Sequence, residues 1–126
     1  MKKTAILLFI VSALVITGCK KNDNSKLSYV GSWDYSQIEL DIFQNNTYQA
    51  SNGGIQFTLG KYVVTGSQIT FTDTAGYCGF NPGGKYSFSL FTSTINGPTQ
   101  TMMTLTNLTD SCSLRDGSLP GTYTLY

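Results

Sequence analysis

Histidine is absent from the 126 residues, and charge is scarce: Asp, Glu, Lys and Arg together make up 12%, about half the roughly 25% usual in globular proteins. Without histidine there is no Ser-His-Asp or Cys-His catalytic pair, no imidazole metal ligand and no imidazole pH switch. Eight basic residues stand against seven acidic ones, a formal net charge of +1. Nucleic-acid binding asks for a basic stripe, and none is present, so a nucleic-acid partner is not expected. No phosphate-cradling glycine loop and no paired-cysteine metal motif occurs, and no cofactor is expected. Glu39 and Asp41 stand two apart on one strand face, a spacing that can serve acid–base chemistry. They alternate with Ile38, Leu40 and Ile42 and therefore belong to the solvent side of that strand. Asn45-Asn46-Thr47 and Asn107-Leu108-Thr109 have the form of glycosylation sequons but carry no chemistry of their own. The expectation is a protein that is not an enzyme.

What is present begins with a targeting segment. Met1-Lys2-Lys3 is a basic start, followed by an apolar run over 5–16 broken only by Ser12. That run is too short for a stable transmembrane helix, which needs roughly 20 residues, and it has the dimensions of a secretory leader. Ile16-Thr17-Gly18-Cys19 resembles the bacterial lipobox. The resemblance implies a leader over 1–18, cleavage before Cys19 and a diacylglyceryl group on its thiol, making the membrane a partner through that lipid. Removing Lys2 and Lys3 from the 8 basic residues leaves 6 against 7 acidic, a net charge of −1. Residues 19–28, the lipidated cysteine and a polar stretch without apolar periodicity, read as a tether. Lys20 stands where an aspartate would retain an enterobacterial lipoprotein in the inner membrane, which points to the outer membrane of the cell envelope.

Cys78 and Cys112 remain, an even pair in an exported chain. A bond between them would close a loop of roughly 35 residues and contribute about 3–4 kcal/mol in the chain-entropy model; the alternative is two free thiols without a neighbouring base.

Residues 29–126 read as strands throughout. Residues 37–42 alternate strictly, 47–50 return from an Asn45-Asn46 turn, and 55–59 alternate after Asn52-Gly53-Gly54. Residues 60–64 and 68–72 flank Thr65-Gly66-Ser67 as a tight hairpin. Tyr86, Phe88 and Leu90 mark a further strand, Met103 and Leu105 another, and 122–126 the last. No 3.6 period is visible after the leader. The expectation is an all-β fold of about eight short antiparallel strands, sandwich or barrel. Closure of the last strand on the first removes both exposed edges, which favours an up-and-down barrel.

Gly31-Ser32-Trp33, Phe43-Gln44-Asn45-Asn46-Thr47-Tyr48, the hairpin over 60–72 and Asp110-Ser111-Cys112-Ser113-Leu114-Arg115 followed by Gly121-Thr122-Tyr123 together resemble the small bacterial lipocalin-like (calycin-type) lipoproteins. The resemblance covers most of 31–126. It implies a lipocalin-like barrel, and it implies that Arg115 covers Trp33 by stacking or by bonding to the backbone beside it; the alternative is a salt bridge from Arg115 to Asp110 or Asp116 at the surface. An eight-stranded barrel either fills with side chains or holds one small ligand. Inward Ile38, Leu40, Ile42, Phe57, Ile69, Phe71, Phe88 and Leu105 serve either outcome, with Phe57, Phe71 and Phe88 as candidate ligand contacts. Three uses remain open: a small apolar ligand, an envelope protein such as a hydrolase to be inhibited, or a carbohydrate stacked on exposed tyrosines. The stretch over 73–84, with four glycines and a proline, reads as a long irregular loop. Its Tyr77, Phe80 and Asn81 are the expected partner contacts, or else its rings fold inward as a plug.

Overall fold

The structure is a computed structural model that describes residues 27–79, 83–95 and 97–126. The leader over 1–18, Cys19, the tether up to residue 26, Phe80 and Asn81 lie outside the described residues.

Eight antiparallel strands in chain order close into a barrel. They are β1 (Gly31–Tyr35), β2 (Ile38–Ile42), β3 (Thr47–Asn52), β4 (Ile55–Thr65), β5 (Gln68–Gly76), β6 (Gly84–Ser93), β7 (Gln100–Thr109) and β8 (Gly121–Leu125). Alternation in the sequence becomes alternation in space: Ile38, Leu40 and Ile42 are buried while Glu39 between them is exposed. The turns follow from their residues. Asn46 takes φ 63°, which asparagine tolerates, and the Asn45 side chain accepts from the Thr47 backbone N–H at 3.1 Å. Gly53 and Gly54, at φ 57° and 81°, make the two-residue β3–β4 turn that suits a right-twisted hairpin.

Residues 55–59 and 60–64, which read as separate runs, form the single strand β4, with a register shift between Leu59 and Gly60. A Cβ on Gly60 would collide with the Thr72 backbone, so the bulge requires glycine. The long loop expected over 73–84 is corrected on the same ground. β5 continues through Asp73 to Gly76, because β4 is long enough to pair Thr58 with Gly76. Only 77–83 separates β5 from β6. A short helix that no periodicity announced, α1 (Ser113–Ser118), fills the β7–β8 connection; six residues are too few to display a 3.6 period.

The interior is packed with rings and branched chains. Trp33, Leu40, Phe71, Tyr86, Leu119 and Tyr123 are fully buried, and Phe71 lies between Tyr48 and Tyr86, its ring centroid 4.4 and 5.7 Å from theirs. The two ends of the barrel differ. One end carries the β1–β2, β3–β4 and β5–β6 connections and α1. The other carries the chain entry at residues 27–30 and the β2–β3, β4–β5 and β6–β7 turns.

Two seams are thin. β1 and β8 share the pairs Trp33–Leu125 and Asp34–Thr124, and β5 meets β6 only from Gln68–Ser87 to Phe71–Gly84. Beyond Ser87 the β6–β7 hairpin runs on without a β5 neighbour, held by the Phe88 N–H to the Ser67 carbonyl at 2.8 Å.

Candidate functional site: a plugged end and an open end

The α1 end is closed by a buried charge network. α1 carries Arg115 into the barrel, where it is fully buried. Its Nε donates to Asp110 Oδ2 at 2.5 Å and its Nη2 to Asp110 Oδ1 at 2.8 Å, a bidentate grip. Its Nη1 donates to Asp73 Oδ1. Tyr86 donates to Asp110 and Tyr48 to Asp73, and Tyr48 also shares a 2.9 Å bond with Thr58. Asp73 Oδ2 has no partner among the described residues. Burial pulls the Asp110 carboxyl upward, but the bonds from Arg115, Tyr86 and the Cys112 N–H outweigh it and hold the group below the ordinary range. Tyr48 and Tyr86 are pushed well up, first by burial and then by the carboxylates they face. Nothing in this arrangement opens to solvent; its chemistry is that of a plug.

The expected cover of Trp33 by Arg115 is therefore corrected. Among the described residues the Arg115 side chain bonds to Asp110 and Asp73, because Arg115 enters at the α1 end and Trp33 lies toward the other, opposite Leu125. The alternative bridge to Asp110 is present, but buried and not at the surface. Asp116 instead accepts from the Asn107 side chain. Asp73, Tyr48 and Tyr86 are partners that no motif in the sequence announces; a lone arginine in a barrel-forming chain is the signal that such partners exist. Beside the plug, Cys78 and Cys112 stand at disulfide distance with Cα atoms 5.6 Å apart, linking the segment after β5 to the residue that precedes α1.

The open end holds a cavity of about 670 Å³. Leu27, Tyr29 and Val30 of the entering chain line one side, and Val64, Phe88 and Leu90 the other. The Trp33 indole donates to the Tyr29 carbonyl at 2.8 Å, which fixes the entering chain across the mouth. The Tyr29 ring stands edge-on to Phe88 and Tyr62, at 5.6 and 6.0 Å. Ser28 and Ser67 add hydroxyls, and among the described residues no lining side chain is charged. The three expected interior ligand contacts do not share this cavity. Phe57 and Phe71 are sealed in the core, Phe71 because Tyr48 and Tyr86 flank it; Phe88 alone of the three lines the cavity. Tyr77 is 75% exposed at the plugged end, so it is not a lid. Glu39 is solvent-facing as read, and Asp41 accepts from Gln49 at 2.8 Å on the outer wall. Among the described residues no cluster of three or more His, Cys, Asp or Glu is placed to hold a metal, and no helix is long and apolar enough to cross a membrane.

Compared with protein-family models, curated proteins and solved structures, the chain matches none.

Proposed function

We propose that this chain is a lipid-anchored, non-catalytic, lipocalin-like lipoprotein of the bacterial cell envelope that holds a small apolar ligand at the open end of its barrel. The observation that carries the reading is the cavity of about 670 Å³ lined by Leu27, Val30, Val64, Phe88 and Leu90. Its size falls in the range of roughly 300–1,000 Å³ typical of small-molecule sites, and its apolar wall with a few hydroxyls is their usual composition. A neutral lining favours an uncharged or hydrocarbon moiety, because a buried charge here would go unpaired. The lipobox-like Ile16-Thr17-Gly18-Cys19 supports attachment through Cys19, and Lys20 supports an outer-membrane destination. A bond between Cys78 and Cys112 suits that oxidising compartment.

Titration of the purified protein with lauric acid, followed by native mass spectrometry, tests the reading. One bound chain per protein is expected, and Leu90→Trp, which fills the cavity, should weaken it at least tenfold. Equal binding by Leu90→Trp, or none by the parent, rejects the cavity as the site and leaves an envelope protein or a carbohydrate as the partner to be sought.

A further inference from the structure

The open end carries no charge in its turns, whereas the α1 connection at the other end holds Asp110, Arg115 and Asp116. The uncharged turns are 43–46, 65–68 and 93–100, and the entering chain at 27–30 contains no charged residue either. Two charges stand one step back on the wall, Lys61 opposite Thr47 and Asp41 opposite Gln49. The same end displays large apolar side chains to solvent: Phe43, Val63, Phe91 and Ile95 are all exposed, Ile95 by 79%. Phe91 and Ile95 belong to the part of the β6–β7 hairpin that overshoots β5. An uncharged, apolar rim of this kind marks an interaction surface.

The chain itself indicates what covers the rim. Cys19 is eight residues from Leu27, and eight links reach at most about 28 Å. Leu27 lies at the rim, so a lipid on Cys19 brings the bilayer to this end of the barrel before any other. Charge points the same way. Residues 19–26 hold Lys20, Lys21 and Lys26 against Asp23, a net +2, whereas 27–126 hold Lys61, Lys85 and Arg115 against six acidic residues, a net −3. A basic tether is drawn to an anionic leaflet, and the acidic body is held off by it. With no acidic side chain in its turns, the open end is the face that leaflet tolerates.

We propose that the open end seats on the lipid surface, with the Phe91–Ile95 side of the β6–β7 hairpin dipping into the interface and the cavity mouth facing the acyl layer. The inference rests on the lipid-anchor reading. It assigns the cavity's ligand to the membrane itself: an acyl chain enters from the bilayer without crossing water.

Full-length protein purified from bacterial membranes and reconstituted in phosphatidylethanolamine–phosphatidylglycerol vesicles with brominated acyl chains tests it. Ile95→Trp places an indole at the rim and Ile55→Trp, in the β3–β4 hairpin, places one at the far end; both positions are exposed, and the parent protein, with Trp33 alone, is measured in each vesicle and its emission subtracted. The added emission of Ile95→Trp should fall by at least half on bromination and shift to the blue, while that of Ile55→Trp stays unchanged. Intact mass reads the acyl group on Cys19 in the same samples. An acylated protein with unquenched Ile95→Trp emission, or with both variants quenched alike, overturns the seating and leaves the anchor standing. An unacylated Cys19 overturns the anchor and the seating with it.

Discussion

Arg115 is a fully charged side chain held inside a β-barrel, and its cost is offset by geometry. Three of the five donors in its planar fork meet both oxygens of Asp110 and one of Asp73, and two tyrosine hydroxyls add one bond to each carboxylate. Removing one partner from such a set leaves a buried charge uncompensated, which costs about 3–5 kcal/mol. Arg115→Met should therefore lower stability by about that amount in urea unfolding. Tyr86→Phe removes one neutral donor and should cost about 1–3 kcal/mol. The same bonds set a pH dependence. Asp110 is held below its ordinary 3.8 in the fold, so its contribution is complete above pH 3.8 and is lost as pH falls through the lower folded value. Tyr48, Tyr86 and Tyr123 are raised above their ordinary 10.0, each foremost by burial. Their contribution is complete below pH 10 and is lost above it, when the unfolded chain ionises first. Thermal melts across pH should show a plateau between these limits, and Tyr86→Phe should lose part of the acid limb. The arginine's burial was not legible from its neighbours in sequence, because Asp73 is 42 positions away and stands in a stretch that glycine content marked as loop.

At the scale of elements, strands were legible wherever one face is core and the other solvent, as in β2, where Glu39 is exposed between buried Ile38 and Leu40. What periodicity conceals is length. Gly76, at φ 118°, lies against the Phe57 and Thr58 backbone so closely that a Cβ would collide. A glycine chosen for close approach reads, in isolation, like a glycine chosen for a turn. The candidate site was hidden for a related reason. Its walls are the ends of β4 and β6 and the entering chain, and of the lining residues only Phe88 and Leu90 belong to the alternating run that marks β6. Gly60→Ala tests the bulge: collision with the Thr72 backbone should cost more than the roughly 1–3 kcal/mol of ordinary overpacking, read as a loss of Tm. Cys78 and Cys112 bracket the plugged end. A bond between them constrains the unfolded chain, so Cys78→Ser with Cys112→Ser should lower stability by about 3–4 kcal/mol, and dithiothreitol should reproduce the loss in the parent.

The whole molecule divides its work between two ends. Ion pairs, the cysteine pair and α1 lock one of them, while the other has a hairpin with an unpaired edge, a turn held to it by the Phe88–Ser67 bond and a chain segment pinned by the Trp33 indole. Local opening concentrates where backbone bonds are few and exposed, so amide exchange should be fast over the β6 overhang and slow at Leu119, whose N–H bonds to Arg115 at 2.9 Å. A ligand in the cavity touches only the open end. It should slow exchange at Val30, Phe88 and Leu90 and leave Leu119 and Asp116 unchanged, while raising global stability by about 2.7 kcal/mol at a hundredfold excess over Kd. Protection spread evenly over both ends would mean that binding rigidifies the barrel as one body, and the separation into a fixed plug and an adaptable mouth would fail. Trp33 offers an independent reading, because its indole is bonded to the segment that covers the cavity. Its emission should respond to lauric acid in the parent and not in Leu90→Trp once that variant's own indole signal is subtracted, so the one native tryptophan reports occupancy of the site from inside the core.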